Sequence, residues 1–109
     1  MSIPTNIDIL PPWKIIEGLG NRSELLSAQL ETELPQNHVL HGLKVTAVAA
    51  RIDRDDVLFE VVKSETPLAV VHMTRGKETD PRWPGTKLFR SWEHWAQEDM
   101  QPAHEDYGP

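Results

Sequence analysis

Apolar side chains recur every fourth residue at Leu26, Leu30 and Leu34, with Leu25 beside them, while Glu24, Gln29, Glu31, Thr32 and Glu33 fall mainly on the wetter side. That period predicts an amphipathic helix over residues 22–34. Asn21 takes the N-cap position with Glu24 three residues on, the capping-box arrangement, and Pro35 ends the run. From residue 40 to 74 the period changes. Val-rich runs at 43–52, 57–62 and 68–74 are separated by Asp53-Arg54-Asp55-Asp56 and by Lys63-Ser64-Glu65-Thr66-Pro67, joints short enough for hairpins. In the second run Val57, Phe59 and Val61 share one face and Leu58, Glu60 and Val62 the other, so both faces need cover, from two helices or from one helix and a second subunit.

Residues 75–85 form a polar loop, after which 86–90 is a brief extended segment. Ser91 then caps a second helix whose Trp92, Trp95, Ala96 and Met100 lie on one stripe; Pro102 is expected to stop it. The first twenty residues are punctuated by Pro4, Pro11, Pro12, Gly18 and Gly20, and predict a docked arm with a short strand at Ile7 and Ile9 and a helical turn from Pro12 to Glu17. The sum is an α+β domain: a three-stranded, or four-stranded, antiparallel meander with an N-terminal and a C-terminal amphipathic helix. One domain is expected over residues 1–101, followed by a disordered acidic tail at 102–109.

Composition narrows the function classes. The chain has 109 residues and no cysteine, which excludes disulfides, thiolate metal sites and cysteine nucleophiles. No stretch approaches the length of a membrane span and the start lacks a secretion signal, so a cytoplasmic location is expected. The net charge of −6 argues against nucleic acid or anionic lipid as a general partner, although Glu98, Asp99, Glu105 and Asp106 concentrate much of it near the end.

Candidate chemistry is sparse. His72 lies inside the most apolar run, where an imidazole can serve as a base or simply satisfy a neighbour. His38 and His41 have a metal-like spacing, but Pro35 and Gly42 argue for a loop, and no third ligand is nominated. Asp53, Asp55 and Asp56 suit a turn better than a calcium loop, which would need a glycine and a distal glutamate. Ser23, Ser27, Ser64 and Ser91 have local explanations as caps, helix surface or turn residues. Residues 75–90 hold Arg75, Lys77, Arg82, Lys87 and Arg90 against Glu78 and Asp80, and with Trp83 could present an anion platform or anchor the loop. Of the four tryptophans, Trp92 and Trp95 read as core, and one is expected at a contact surface. No cofactor, metal or catalytic constellation is predicted.

Asp55 to Glu60, then Leu68 to Thr74, then Asp80-Pro81-Arg82-Trp83-Pro84-Gly85-Thr86-Lys87-Leu88-Phe89-Arg90-Ser91-Trp92-Glu93-His94-Trp95 together resemble a group of small bacterial proteins of unassigned function. The resemblance covers the latter two thirds of the chain. In that group an aromatic residue often follows His-Met-Thr, where this chain has Arg75. It implies bacterial origin and lends no activity, cofactor or catalytic residue.

Two readings result. The leading one is a non-catalytic interaction or regulatory protein, of the immunity type, binding another protein or itself as a homodimer, because greasy strand faces and clustered tryptophans supply contact area. The rival is a small enzyme or ligand-binding domain with a pocket around His72, Asp80, Arg82 and Trp83, and Arg75 beside them. The rival requires that His72 open into a concavity within reach of another polar group.

Overall fold

The computed structural model describes residues 4, 7–16, 21–62, 64–74, 76, 80 and 82–108. Its centre is a five-stranded antiparallel sheet in the sequential order β1 (Trp13–Ile15), β2 (Val45–Arg51), β3 (Asp56–Val61), β4 (Leu68–His72) and β5 (Thr86–Phe89). The expected meander is there. It gains a strand at each edge: residues 86–89 pair with β4, and Trp13, Lys14 and Ile15 pair with Arg51, Ala50 and Ala49. The helical turn expected from Pro12 does not form, because pairing along β2 satisfies that backbone and buries the Trp13 ring. No strand forms at Ile7 and Ile9; both pack as an irregular arm.

Both faces are covered from within the chain. On one side lies α1 (Arg22–Glu33), whose Leu30 is fully buried against Val45, Ala47, Val57, Phe59, Ala69 and Val71. Asn21 makes no side-chain capping bond, contrary to expectation. The helix is pinned instead by two serines: Ser23 Oγ donates to the Ala47 carbonyl at 2.7 Å, and Ser27 Oγ accepts from the Ala47 N–H at 3.1 Å. These serve the length of β2 that β1 does not reach. Glu33, expected on the wet side, is buried; its Oε1 accepts from the Thr74 N–H at 2.8 Å and its Oε2 from Gln29 at 3.0 Å. Thr74 has left the strand ladder, so its N–H needs that acceptor.

The opposite face carries α2 (Trp92–Trp95), a π-helical turn (Ala96–Met100) and α3 (Gln101–Tyr107), with the N-terminal arm laid against them. Ser91 caps as expected, Oγ accepting from the His94 N–H at 3.0 Å. Trp95 is fully buried and meets Trp13 and Trp92 edge to face, centroids 5.5 and 5.9 Å away. Pro102 does not stop the helix. The widened turn closes with the Gln101 N–H on the Ala96 carbonyl, so the proline, with no N–H to give, falls in the first turn of the next segment. The expected disordered tail is thus helical to Tyr107, and His104 Nδ1 donates to the Pro11 carbonyl at 2.6 Å.

A bulge between Ala47 and Ala49 lets Val48 and Ala49 both face the tryptophan layer, and the Val48 carbonyl accepts from Ile16. No helix among the described residues is long and apolar enough to cross a membrane.

Candidate functional site

The strands end, at the β2–β3 turn, in a cluster of charge. Asp56 opens β3 and stands directly opposite His72, the last residue of β4. Both point to the face that carries the C-terminal helices, and His72 Nδ1 donates to Asp56 Oδ1 at 2.6 Å. The imidazole is not buried among aliphatic groups: its side chain is 56% exposed. It opens into a groove of 310 Å³ lined by Arg54, Asp56, Val70, Gly85, Thr86, Lys87 and Asp99. The concavity that the ligand-binding reading requires is present, with a polar partner in reach.

Each wall has a structural cause. Val70 and Lys87 are register partners on β4 and β5, which places the ammonium beside the imidazole's strand. Asp99 belongs to the π-helical turn. It extends the stripe of Trp92, Trp95 and Ala96 and reaches the sheet, its Oδ2 accepting from Trp95 Nε1 at 3.2 Å. Burial pushes the Asp99 carboxyl above its usual range, and Asp56 adds to this, while Lys87, the Trp95 N–H and Arg51 act against it. Gly85 accepts from the His72 N–H at 2.9 Å. Thr86 is set by His38, a buried ring whose Nε2 donates to the Pro84 carbonyl at 2.9 Å and lies 3.2 Å from Thr86 Oγ1. The other ring nitrogen of His38 accepts from the Leu40 N–H, so both nitrogens of this histidine are taken by the backbone, while His41 is exposed.

The other predicted site residues part company. Asp80 and Arg82 hold each other, Arg82 Nη2 donating to Asp80 Oδ2 at 2.7 Å, and that bond, with the Arg82 backbone N–H, draws the Asp80 carboxyl down to about 2. Neither lines the groove. Trp83 is half exposed, with its ring against Gly85, so it borders the groove from outside. Arg75 lies outside the described residues. Arg54 and Asp99 are site residues that pattern reading did not weigh, and Asp56 and Lys87 were weighed only for a turn and a basic loop, not beside His72. Two had a signal: hairpin register sets Asp56 against His72, and Asp99 is a carboxylate on an otherwise apolar helix stripe.

Among the described residues no group of histidines and carboxylates could hold a metal ion. The turn's carboxylates diverge: Asp53 takes Arg51 through two bonds of 2.8 Å, while Asp56 takes His72, with Arg54 3.9 Å away. An imidazole oriented through Nδ1 by a carboxylate presents Nε2 to a bound molecule, as an acceptor or, when protonated, a donor. Thr86, the one hydroxyl among the described lining residues, donates to the Pro84 carbonyl rather than to His72.

These features define an α+β domain of sequential antiparallel strands with helices on both faces and a mixed-charge groove at one end. No family model, curated protein or solved structure matches the chain.

Proposed function

We propose that this protein binds a small polar molecule in the groove between β3–β5 and the π-helical turn, with His72 as its reading group. The carrying observation is the His72–Asp56 contact of 2.6 Å beside Lys87 and Asp99 in one concavity. The volume is at the low end for small-molecule sites, and the lining holds both cationic and anionic groups, which suits a ligand with a donor at one end and an acceptor at the other. The role is recognition, and the oriented imidazole could exchange a proton with a group that the ligand brings.

Titrating the protein with free amino acids and small hydroxy acids, followed through the His72 ring resonances and the Lys87 and Asp99 amides, tests this. Binding that moves those signals and is lost in His72→Ala is expected. Hits that cluster instead at Trp83 and survive His72→Ala would transfer the site to the exposed ring. A protein contact is the second reading. Trp83, 50% exposed on the outer rim, is the anchor it would use. The homodimer has less to recommend it than the strand pattern suggested, since helices of the same chain cover both sheet faces.

A further inference from the structure

Pairing within the His72 groove leaves one charge of each sign over. Asp56 is taken by His72 at 2.6 Å and lies 3.9 Å from Arg54, so those three groups answer one another. Asp99 and Lys87 remain. The Asp99 carboxylate accepts a single hydrogen bond, from Trp95 Nε1 on Oδ2, and its Oδ1 has no donor among the described residues. Lys87 makes no hydrogen bond or ion pair with a described residue. The two feel each other, since Lys87 works against the rise of the Asp99 carboxyl, yet they do not pair. Asp99 is also half-buried on its π-helical turn, and burial is the largest cause of that rise, so water serves this carboxylate poorly. A carboxylate short of donors and an ammonium short of acceptors thus line one concavity without touching.

We infer that the ligand of this groove is a free α-amino acid, its ammonium on Asp99 Oδ1 and its carboxylate on Lys87, an inference that rests on the binding role proposed above. In an α-amino acid both charged groups hang from one carbon, which suits two protein groups close enough to interact and too far apart to pair. A hydroxy acid would offer Asp99 only a neutral hydroxyl, and a simple amine would leave Lys87 unanswered. Val70 is the one aliphatic side chain among the described lining residues, so a long apolar side chain on the ligand gains little and a small or polar one fits better.

Serine, serinamide and glycerate separate the two ends, because serinamide lacks the carboxylate and glycerate carries a hydroxyl in place of the ammonium. Each is titrated into the full chain, with the His72 ring and the Asp99 carboxyl carbon resonances as readout. Serine is expected to bind at least about tenfold more tightly than either, the size of one charge-assisted contact, and to lower the pH at which Asp99 titrates. Asp99→Asn, which keeps the side chain's size and an oxygen for Trp95, should weaken serine by about tenfold and not weaken glycerate. Lys87→Met, at an exposed position, should weaken serine by about tenfold and not weaken serinamide. Serinamide or glycerate binding as tightly as serine, or either variant without effect on serine, would overturn the amino-acid ligand while the His72 shifts keep the groove a binding site. Tighter binding of 4-aminobutanoate than of serine would overturn the α-amino acid in favour of a longer zwitterion. His72 signals that stay still with every compound would remove the inference and the binding role together.

Discussion

Replacing His38 by alanine should cost about 2–4 kcal/mol, a figure that follows from its partners. The ring is 6% exposed and ties two backbone groups together: Nδ1 accepts from the Leu40 N–H at 3.0 Å, and Nε2 donates to the Pro84 carbonyl at 2.9 Å. Alanine removes both bonds, but the two ends are not left equal. The Pro84 carbonyl keeps the Thr86 hydroxyl at 2.9 Å, while the N–H of Leu40, itself 1% exposed, is left buried without an acceptor. A buried orphan donor costs about 1–3 kcal/mol, and the second bond adds about 1. Urea unfolding followed by tryptophan emission reads the loss: at slopes of about 1–3 kcal/mol per M, the midpoint falls by about 0.7–4 M. His38→Asn is the control, because an asparagine oxygen reaches the N–H two residues on in an Asx turn and restores the critical bond. A loss below about 0.5 kcal/mol for alanine, or asparagine no better than alanine, would refute the reasoning.

Two further outcomes are expected. Burial holds the Asp99 carboxyl above its ordinary 3.8, so the folded chain keeps that proton more strongly than the unfolded one. The resulting stabilisation is full below the unfolded value and fades as pH rises through the folded one; relative to Asp99→Asn, the wild type should therefore lose stability from about pH 4 upward, in paired urea curves. A difference that is flat or grows in the wild type's favour contradicts this. Separately, Trp83→Phe should remove the largest share of the emission that acrylamide quenches, since Trp83 is 50% exposed, Trp92 is partly buried, and Trp13 and Trp95 are 2% and 0% exposed; persistence of that emission would place the exposed ring elsewhere.

The strands were legible where burial on both faces made them continuous. Runs expected at 57–62 and 68–74 match Asp56–Val61 and Leu68–His72 closely, because Val-rich segments covered on two sides leave few polar positions to blur them. β1 was not legible: only three residues long, with Lys14 and Ile15 exposed, it has no period of its own and exists through its pairing with β2. Glu33 and Pro102 went astray for a shared reason. Each obeys a simple rule that the fold overrides, through a tertiary contact to the Thr74 N–H in one case and a local π-helical widening in the other. In the site, His72 could be singled out because a histidine interrupts an apolar run. Asp80, Arg82 and Trp83 were grouped with it by closeness in sequence, yet residues two apart in a loop satisfy one another first, as Asp80 and Arg82 do.

Why the charges gather at one end of the sheet follows from the layers. The midlength of every central strand lies beneath a helix on each face, where an ionised group would be desolvated, so the polar positions are pushed toward the strand ends. At the β2–β3 turn they cannot disperse, because Asp53, Arg54, Asp55 and Asp56 come from four consecutive positions. The turn settles this by pairing Asp53 with Arg51 and Asp56 with His72, and so divides the space into two cavities of different character. Arg54 and Asp56 line both. The His72 side inherits the mixed charge of Lys87 and Asp99 from β5 and the π-helical turn, whereas the α1 side inherits Arg22 over an apolar floor. One hairpin turn thereby borders two cavities of different lining, and a substitution at Arg54 or Asp56 alters both at once.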